Sequence, residues 1–333
     1  MVSRMKRFLE NREFCRHAYA PDFLIINARV AGHLVDHLEQ PINVTGKGQN
    51  VEEAMVRLCG EAAERVSLQA PGANEEWLAL DVLTSKTVSI VPNRFLGQRW
   101  RSTSSHGCAS HNLADLSGLL AIEELLERRA VQDWWEGKSK LLFTQTGSEL
   151  DDQINSFVKR ARTGARVARE TRFCTLSSLP FITVAAAISH DGDLDQFAIA
   201  FAAGTNLPQV CGRAFEELLQ VELNTRRLEV PQINSENTEY NSELKFLRRQ
   251  QTEVKRRVID DWDEAKTITG IQSQEYSYSN SKEILRLLKD CDRQVLLIDM
   301  THPEIGIPTT RAIFSEANEN PFFNYSPADM SPL

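Results

Sequence analysis

The chain has no long apolar run, and this lack excludes one class of protein at the outset. Its longest apolar stretches, such as FITVAAAI at 181–188, are far too short to span a bilayer. The first residues, MVSRMKRFLENREFCRH, are charged throughout and lack the apolar core of a secretory signal. We therefore expect a cytoplasmic protein that does not contact a membrane.

Cysteine and basic charge are also scarce. Six cysteines are scattered over 333 residues without a Cys-x-x-Cys pair, so neither a disulfide framework nor a usual zinc site is expected. The 46 acidic and 38 basic residues give a formal net charge of −8, whereas nucleic-acid binders usually carry a basic excess. We expect no nucleic-acid partner.

The patterns that are present predict an α/β protein. Helical periodicity marks residues 51–68, 112–135 and 208–223. Strand patterns fall at 23–33, 42–45, 78–83, 87–91, 141–148, 172–190, 197–205 and 295–300. An Asp-Gly turn after His190 predicts that the two strand segments on either side of it form a hairpin.

The simplest domain division is an N-terminal segment at 1–40 followed by one α/β domain at 41–333. Residues 224–280 differ from the rest because they are rich in Asn, Ser, Glu, Arg and Gln. We interpret this stretch as a polar, partly helical insertion and a candidate surface for docking a partner.

Each of the three predicted helices carries a polar pair, spaced by three residues, near its less exposed face. The pairs are Glu61 with Glu64, Glu124 with Glu127, and Glu217 with Gln220. This spacing puts two side chains on one face, about 5–6 Å apart at Cβ. Neighbouring carboxylates repel each other, and their burial is costly unless a cation such as Mg²⁺ offsets the charge. Converging pairs could thus hold Mg²⁺ and, through it, a polyphosphate.

The spacing also allows a plainer interpretation. Most such glutamate pairs are solvated helix faces paired with arginine, and Arg65 and Arg128 follow the first two pairs here. Periodicity also leaves Glu123 as good an inward-facing candidate as Glu124. The glutamates are also compatible with a hydrolase whose metal ion is held by carboxylates.

A short glycine motif precedes the first helix. The segment TGKGQN at 45–50 predicts a Gly-Lys-Gly turn whose backbone N–H groups and Lys47 could contact phosphate. It is not a Walker A motif, which occurs nowhere in the chain. An ordinary surface turn is the alternative.

Four segments, taken in order, resemble the YcaO family of ATP-dependent peptide-modifying enzymes. They are TGKGQNVEEAMVRLCGEAAER (45–65), HNLADLSGLLAIEELLERRAVQDWW (111–135), AAGTNLPQVCGRAFEELLQ (202–220) and LLIDMTHPEIGIPTTRAIF (296–314). The first is similar to the family's GKG and G-E-x-x-E-R motif, and the last to its D-x-T-x-x-x-x-G-I-P segment. The resemblance implies a YcaO-type α/β ATP-binding domain with mixed β-sheets, Glu-bearing helices and no P-loop.

The resemblance also implies cofactors and a site. The cofactors would be ATP and Mg²⁺, with the metal held by Glu61, Glu64, Glu124 and Glu127. These four glutamates would contact the nucleotide together with Lys47, Asn112, Glu217 and Gln220.

In the azoline-forming branch of the family, a Cys, Ser or Thr side chain of a ribosomally made peptide adds to the preceding carbonyl. ATP phosphorylates the resulting oxyanion, and loss of phosphate leaves a thiazoline or oxazoline. The resemblance thus implies a cyclodehydratase of bacteriocin-like natural-product biosynthesis.

Three departures from the family pattern keep other readings open. Arg57 stands where the family often has a small residue, and Leu120 stands where it often has glutamine. The chain ends FFNYSPADMSPL, with Pro327 and Pro332 but no P-x-P-x-P repeat. Thioamide or amidine formation therefore stays open, as does a non-catalytic scaffold whose nucleotide site has decayed.

The chain also leaves no room for the leader-binding domain of fused cyclodehydratases. We therefore expect a separate leader-binding subunit, a flavin-dependent oxidase subunit, or both, in an oligomeric multi-subunit synthetase that acts on a precursor peptide.

Overall fold

The computed structural model describes most of the chain, in eleven segments. These are residues 2–34, 42–69, 76–91, 106–143, 149–165, 167–179, 182–191, 197–229, 252–261, 288 and 294–316, with side chains at 143–151, 177–179 and 224–229 left undescribed. Most of the polar insertion and the C-terminal prolines lie outside the described residues. No described helix is long and apolar enough to cross a membrane.

Five helices and twelve strands are described. The helices are α1 (Val2–Met5), α2 (Val51–Ser67), α3 (Ala114–Trp135), α4 (Glu149–Arg162) and α5 (Leu207–Glu229), and residues 252–261 are also helical. The strands are β1 (Leu9–His17), β2 (Ala20–Val30), β3 (Asn43–Gly48), β4 (Trp77–Asp81), β5 (Thr87–Ile90), β6 (Cys108–Ser110), β7 (Leu141–Phe143), β8 (Glu170–Leu179), β9 (Ile182–His190), β10 (Ala198–Gly204), β11 (Val295–Asp299) and β12 (Thr309–Phe314). Short 3₁₀ turns lie at Lys6–Phe8 and Gly32–Leu34.

The chain divides into two compact units. The first comprises residues 1–16, 23–129 and 278–324, and the second comprises 17–22, 130–277 and 325–333. The division predicted at residue 40 stays a prediction.

The first unit contains two sheets. One has three strands in the order β1-β2-β3, and the other has five in the order β5-β4-β11-β12-β6. Helix α2 lies on the three-stranded sheet, and their shared core includes Ile26, Val44, Ala54 and Leu58. Neighbouring strands of the five-stranded sheet are antiparallel.

The second unit is built on a four-stranded sheet in the order β10-β9-β8-β7, again with antiparallel neighbours. The predicted hairpin is confirmed, because β9 and β10 pair from Ala198 opposite Ser189 to Gly204 opposite Thr183. The predicted α/β class is also confirmed.

Five elements have no counterpart in the sequence prediction, namely α1, β1, β6, α4 and β12. Strand β1 is exposed at seven consecutive positions, so it lacks the alternation of a half-buried strand. Residues 144–148, predicted to continue a strand, lie outside the described residues, and helix α4 follows them. Strand β12 follows the segment GIP, where a turn signal masks the start of a strand.

The predicted Gly-Lys-Gly turn is wrong, because Gly46, Lys47 and Gly48 lie in strand β3. Lys47 is the register partner of Ile25 on β2. A Cβ atom on Gly46 would overlap the carbonyl oxygen of Ala54 and lie 2.6 Å from Cβ of Leu58. The glycines are therefore explained by the close packing of α2 on β3 and not by a turn.

Helix α2 begins two residues after this strand with a reciprocal cap. The side chain of Asn50 accepts a hydrogen bond from the Glu53 backbone N–H at 2.9 Å. The Glu53 carboxylate accepts one from the Gln49 N–H, also at 2.9 Å. These bonds satisfy N–H groups that no helical carbonyl can reach.

A buried ion cluster ties together the second unit. The Glu222 carboxylate on α5 is fully buried and receives Arg162 of α4 at 2.7 Å, Arg169 at 3.4 Å and the Ser189 hydroxyl of β9 at 2.5 Å. Arg162 also donates to the Tyr19 carbonyl. The Glu222 carboxylate thus connects α5 to helix α4 and strand β9.

Substituting Gly46 should test the close packing of α2 on β3. Gly46→Ala should lower the free energy of unfolding by roughly 2–4 kcal/mol, because its methyl group must push the helix from the strand. The matched control is Gly60→Ala within α2, where a Cβ meets nothing within 4 Å. That variant should gain up to about 1 kcal/mol, since alanine favours helix. Equal effects in urea unfolding would contradict the packing argument.

Removing the Glu222 carboxylate should destabilise the second unit strongly. Glu222→Ala leaves two guanidinium groups in the interior without their shared carboxylate, and we expect a loss of about 3–5 kcal/mol. Chemical denaturation followed by circular dichroism measures it. A loss below about 1 kcal/mol would show that water or another acceptor replaces the carboxylate.

Candidate active site

Helix α2 and strand β6 together fix the first glutamate pair. The Ser110 backbone N–H donates to Oε1 of Glu64 at 2.9 Å, which connects the helix to the five-stranded sheet. Glu61, one turn earlier, pairs instead with Arg65 at 2.8 Å. The two carboxylates of the pair thus have different partners.

Charge around Glu64 disfavours its ionised form. Burial raises the pKa of Glu64 well above its usual range, and the charges of Glu61 and Glu124 raise it further. The Ser110 N–H and Arg65 oppose this shift without cancelling it. Glu64 is therefore a carboxyl group that a nearby cation would ionise.

Helix α3 is held to the five-stranded sheet by Ser117. Its hydroxyl donates to the Ala109 carbonyl on β6 at 2.7 Å and contacts the Thr310 hydroxyl on β12 at 2.9 Å. Beyond this point the helix is buried on several sides, at Ser117, Gly118, Ala121, Ile122, Glu123, Leu125, Leu126 and Glu127. The buried surface of α3 therefore includes glutamates as well as apolar residues.

Arg128 contacts both members of the second pair. Its guanidinium lies 3.7 Å from Oε1 of Glu124 and 3.5 Å from Oε1 of Glu127. These side chains are 21% and 12% exposed, respectively. Burial raises the pKa of Glu124 to about 8; Glu127 and Glu61 raise it too, whereas Arg128 and Arg311 lower it.

The fold thus brings the two helix pairs within electrostatic range of each other. Glu61 acts on Glu64 and Glu124, and Glu124 acts on Glu64 and is itself acted on by Glu127. We call Glu61, Glu64, Glu124 and Glu127 the carboxylate cluster. All four lie in the first unit.

Sequence reasoning missed Arg311, which is the buried cation facing this cluster. It lies on β12 opposite Cys108 of β6 and is 1% exposed. Burial lowers the pKa of Arg311, while the neighbouring Cys108 and Glu124 oppose that shift. Arg311 occurs within the fourth family-like segment, but only the strand register places it near Glu124.

Two further groups beside the cluster are kept uncharged. Burial lowers the pKa of His106 well below its usual range, and Arg128 and Arg311 add to the shift. Burial raises the pKa of the Cys108 thiol well above its usual range, with a further contribution from Glu64. A protonated, buried thiol is a poor nucleophile.

The cluster has the donor chemistry that Mg²⁺ prefers. It offers carboxylate oxygens only, and the raised pKa values of two members reflect an excess of negative charge that a divalent cation would relieve. Within the described ranges, however, no three His, Cys, Asp or Glu side chains converge closely enough to hold a metal. The residues fit Mg²⁺, but holding it requires rotation of glutamates now directed at Arg65 and Arg128.

The remaining predicted residues are placed as follows. Lys47 is buried on β3, and Asn112 is exposed just before α3. On α5, in the second unit, Glu217 is exposed and Gln220 is half-buried. Their nucleotide contacts stay predictions.

A family comparison matches most of the chain. The profile described as YcaO cyclodehydratase, ATP- and Mg²⁺-binding, matches residues 70–317. No curated protein sequence gives a significant match.

Several solved structures share the fold at low sequence identity. YcaO from Methanopyrus kandleri, bound with AMPPCP and Mg²⁺, superposes with a TM-score of 0.70 at 16% identity, covering 99% of this chain and 91% of that one. A heterocyclase in complex with substrate and cofactor gives 0.67 at 15% identity, covering 94% of this chain and 51% of that one. The E. coli microcin synthetase McbBCD complex with pro-MccB17 bound gives 0.60 at 10% identity, covering 92% and 87%.

The stability of the metal-free protein should fall with pH because of Glu124. Its pKa is about 8 in the folded chain against an ordinary value of 4.5, so unfolding releases a proton between these values. The free energy of unfolding therefore decreases from about pH 4.5 to about pH 8. Glu124→Gln should make this decrease smaller, because Glu64 still contributes to it. The variant should be more stable than the wild type near pH 8.5, by on the order of 2 kcal/mol.

Urea titrations at several pH values measure the difference, and the two proteins should converge near pH 4.5, the ordinary pKa of the carboxyl group. Addition of Mg²⁺ and ATP should make the wild type more stable than Glu124→Gln at high pH. A glutamine variant that is less stable than the wild type without metal would show that the ion pair with Arg128 outweighs the cost of burying the carboxylate.

Proposed function

Because the chain belongs to the YcaO family, we propose that it cyclodehydrates Cys, Ser or Thr residues of a ribosomally synthesised precursor peptide to azolines. Membership confirms the predicted enzyme class, an ATP-dependent cyclodehydratase, and its cofactors ATP and Mg²⁺. The peptide's role in bacteriocin-like natural-product biosynthesis is part of the proposal.

The observation that carries the proposal is the carboxylate cluster. Two helices from separate parts of the sequence contribute two glutamates each, and burial together with mutual charge raises the pKa of Glu64 and Glu124. Such an arrangement costs stability unless a cation occupies it. Function is the simplest reason for a fold to retain it.

The proposed role of each residue follows from its charge. Glu61, Glu64, Glu124 and Glu127 would hold Mg²⁺, which neutralises charge on a transferring phosphoryl group. Arg128 and Arg311 limit the repulsion among the glutamates before nucleotide binds. Lys47, Asn112, Glu217 and Gln220 are proposed to contact the nucleotide, as the family resemblance implies.

The proposed reaction balances without a redox partner. A side-chain sulfur or oxygen of the peptide bonds to the preceding carbonyl carbon, and the former carbonyl oxygen takes the γ-phosphoryl group of ATP. That oxygen then leaves with phosphate as the ring C=N bond forms and the amide proton is lost. An oxidase partner would be required only to convert the azoline to an azole.

Partner subunits are part of the proposal. The heterocyclase with the similar fold is about twice as long as the region that this chain covers, and the microcin synthetase is a complex with bound pro-MccB17. We propose that a separate leader-binding subunit, a flavin-dependent oxidase subunit, or both, assemble with this chain into an oligomeric synthetase.

A scaffold with a decayed nucleotide site is the second candidate. The arginine pairs of Glu61, Glu124 and Glu127 favour it, because a structural ion pair needs no metal. Thioamide or amidine formation is the alternative chemistry for an active enzyme.

Peptide-dependent ATP turnover distinguishes the enzyme from the scaffold. In the presence of the precursor peptide and partner subunits, Glu124→Gln should lower turnover by about 10²-fold or more, because it removes a charged metal ligand. The matched control is Glu123→Gln, the same change at the neighbouring buried position of α3. It should keep turnover within a few-fold of the wild type.

Equal, undiminished turnover in both variants would overturn the metal role. Wild-type protein that binds the peptide and partner but consumes no ATP would establish the scaffold. Mass spectrometry of the peptide separates the chemistries, since an azoline loses one water whereas a thioamide exchanges oxygen for sulfur.

A further inference from the structure

A groove in the first unit lies along the side of α3 opposite the one that carries Glu124. One wall is the beginning of α3, with Ala114, Gly118 and Ile122, and the other is β4 and β11, with Leu80 and Leu297. Its volume is about 650 Å³, within the range of pockets that enclose drug-sized ligands. Gly118 keeps the helix close to the sheet, because a Cβ there would lie 3.3 Å from Leu297.

The groove is apolar and open. Leu80 is 44% exposed, and Leu78, two residues earlier on the same face of β4, is 71% exposed. An exposed apolar residue that borders an open groove is a usual mark of an interaction surface.

The polar residues of the groove carry one sign of charge. Asp81, Asp115 and Asp299 line it, and no lysine or arginine is among its described lining residues. The Asp81 carboxylate is held by Thr84 and Gln294, and these hydrogen bonds keep its pKa below the usual value. A complementary occupant therefore combines apolar side chains with basic ones.

The net charge of the chain favours a peptide over a second copy of the chain as the occupant of the groove. Two copies that met at this groove would bring acidic rims together in a chain of formal charge −8. A short polypeptide segment fits better, because alternating leucines on β4 match the alternating side chains of an extended strand.

The groove and the carboxylate cluster lie on opposite sides of α3. Asp115 and Glu124 are nine residues apart, which is about two and a half turns, so their side chains leave the helix in opposite directions. A peptide held in the groove must therefore pass around α3 before its Cys, Ser or Thr reaches the cluster, but its binding still raises the local concentration of that residue.

We propose that this groove anchors the precursor peptide through an apolar segment that carries lysine or arginine. The proposal rests on the proposed function for the identity of the peptide. It adds a contact on this chain to the leader contact assigned to a partner subunit.

A binding experiment with defined probes tests the groove separately from the chemistry. The probes are two short fluorescent peptides of equal length, one alternating leucine with lysine and the other alternating leucine with glutamate. The full chain should bind the lysine peptide at least about tenfold more tightly. Leu80→Lys should weaken that binding about tenfold or more, because it places a cation in the groove.

The matched control is Phe14→Lys, the same charge change at an exposed aromatic residue of β1. It should leave the affinity unchanged, as should Glu124→Gln. Asp115→Asn supplies a second groove variant that adds no bulk, and it should weaken binding a few-fold and reduce its salt dependence.

Equal weakening by Leu80→Lys and Phe14→Lys would overturn the proposal, since binding would then follow net charge alone. A change of the chain from dimer to monomer in Leu80→Lys would make a second copy the occupant and would overturn it too. If the peptide binds the groove as expected but ATP turnover is absent, the proposed function fails while the docking site stands.

Discussion

Repulsion among four carboxylates is the constraint on which the rest of the site depends. Helix α2 supplies Glu61 and Glu64, helix α3 supplies Glu124 and Glu127, and burial raises the pKa of Glu64 and Glu124. The fold offsets the repulsion with Arg65, Arg128 and Arg311 and with one backbone N–H. A cation from solution would complete the charge balance of such a site.

The packing around the cluster explains why these glutamates cannot simply move apart. Glycines in β3 bring α2 onto the three-stranded sheet, and the Ser110 N–H holds Glu64 against β6. Ser117 fixes α3 to the five-stranded sheet through two hydrogen bonds. Backbones held in this way leave only side-chain rotation to adapt the carboxylates to a ligand.

Helix α3 connects three properties of the first unit. The first turns of α3 form a wall of the apolar groove. The Ser117 hydroxyl holds the helix to the five-stranded sheet, and the later turns carry Glu124 and Glu127. A helix that is buried on several sides can do this because each face has a separate neighbour. The same burial explains why its pattern is not that of a simple amphipathic helix.

The sequence by itself determined the three long helices, the β9–β10 hairpin and the glutamate pairs, because periodicity and turn residues are local properties. The order of the sequence motifs also determined the family. Overall sequence similarity could not have done so, because the identity to the solved structures is low. Tertiary structure alone decided that Gly-Lys-Gly ends a strand, that Arg311 faces Glu124, and that Arg128 reaches both members of its pair. Those facts depend on strand register and on contacts between residues far apart in the chain, which no local pattern encodes.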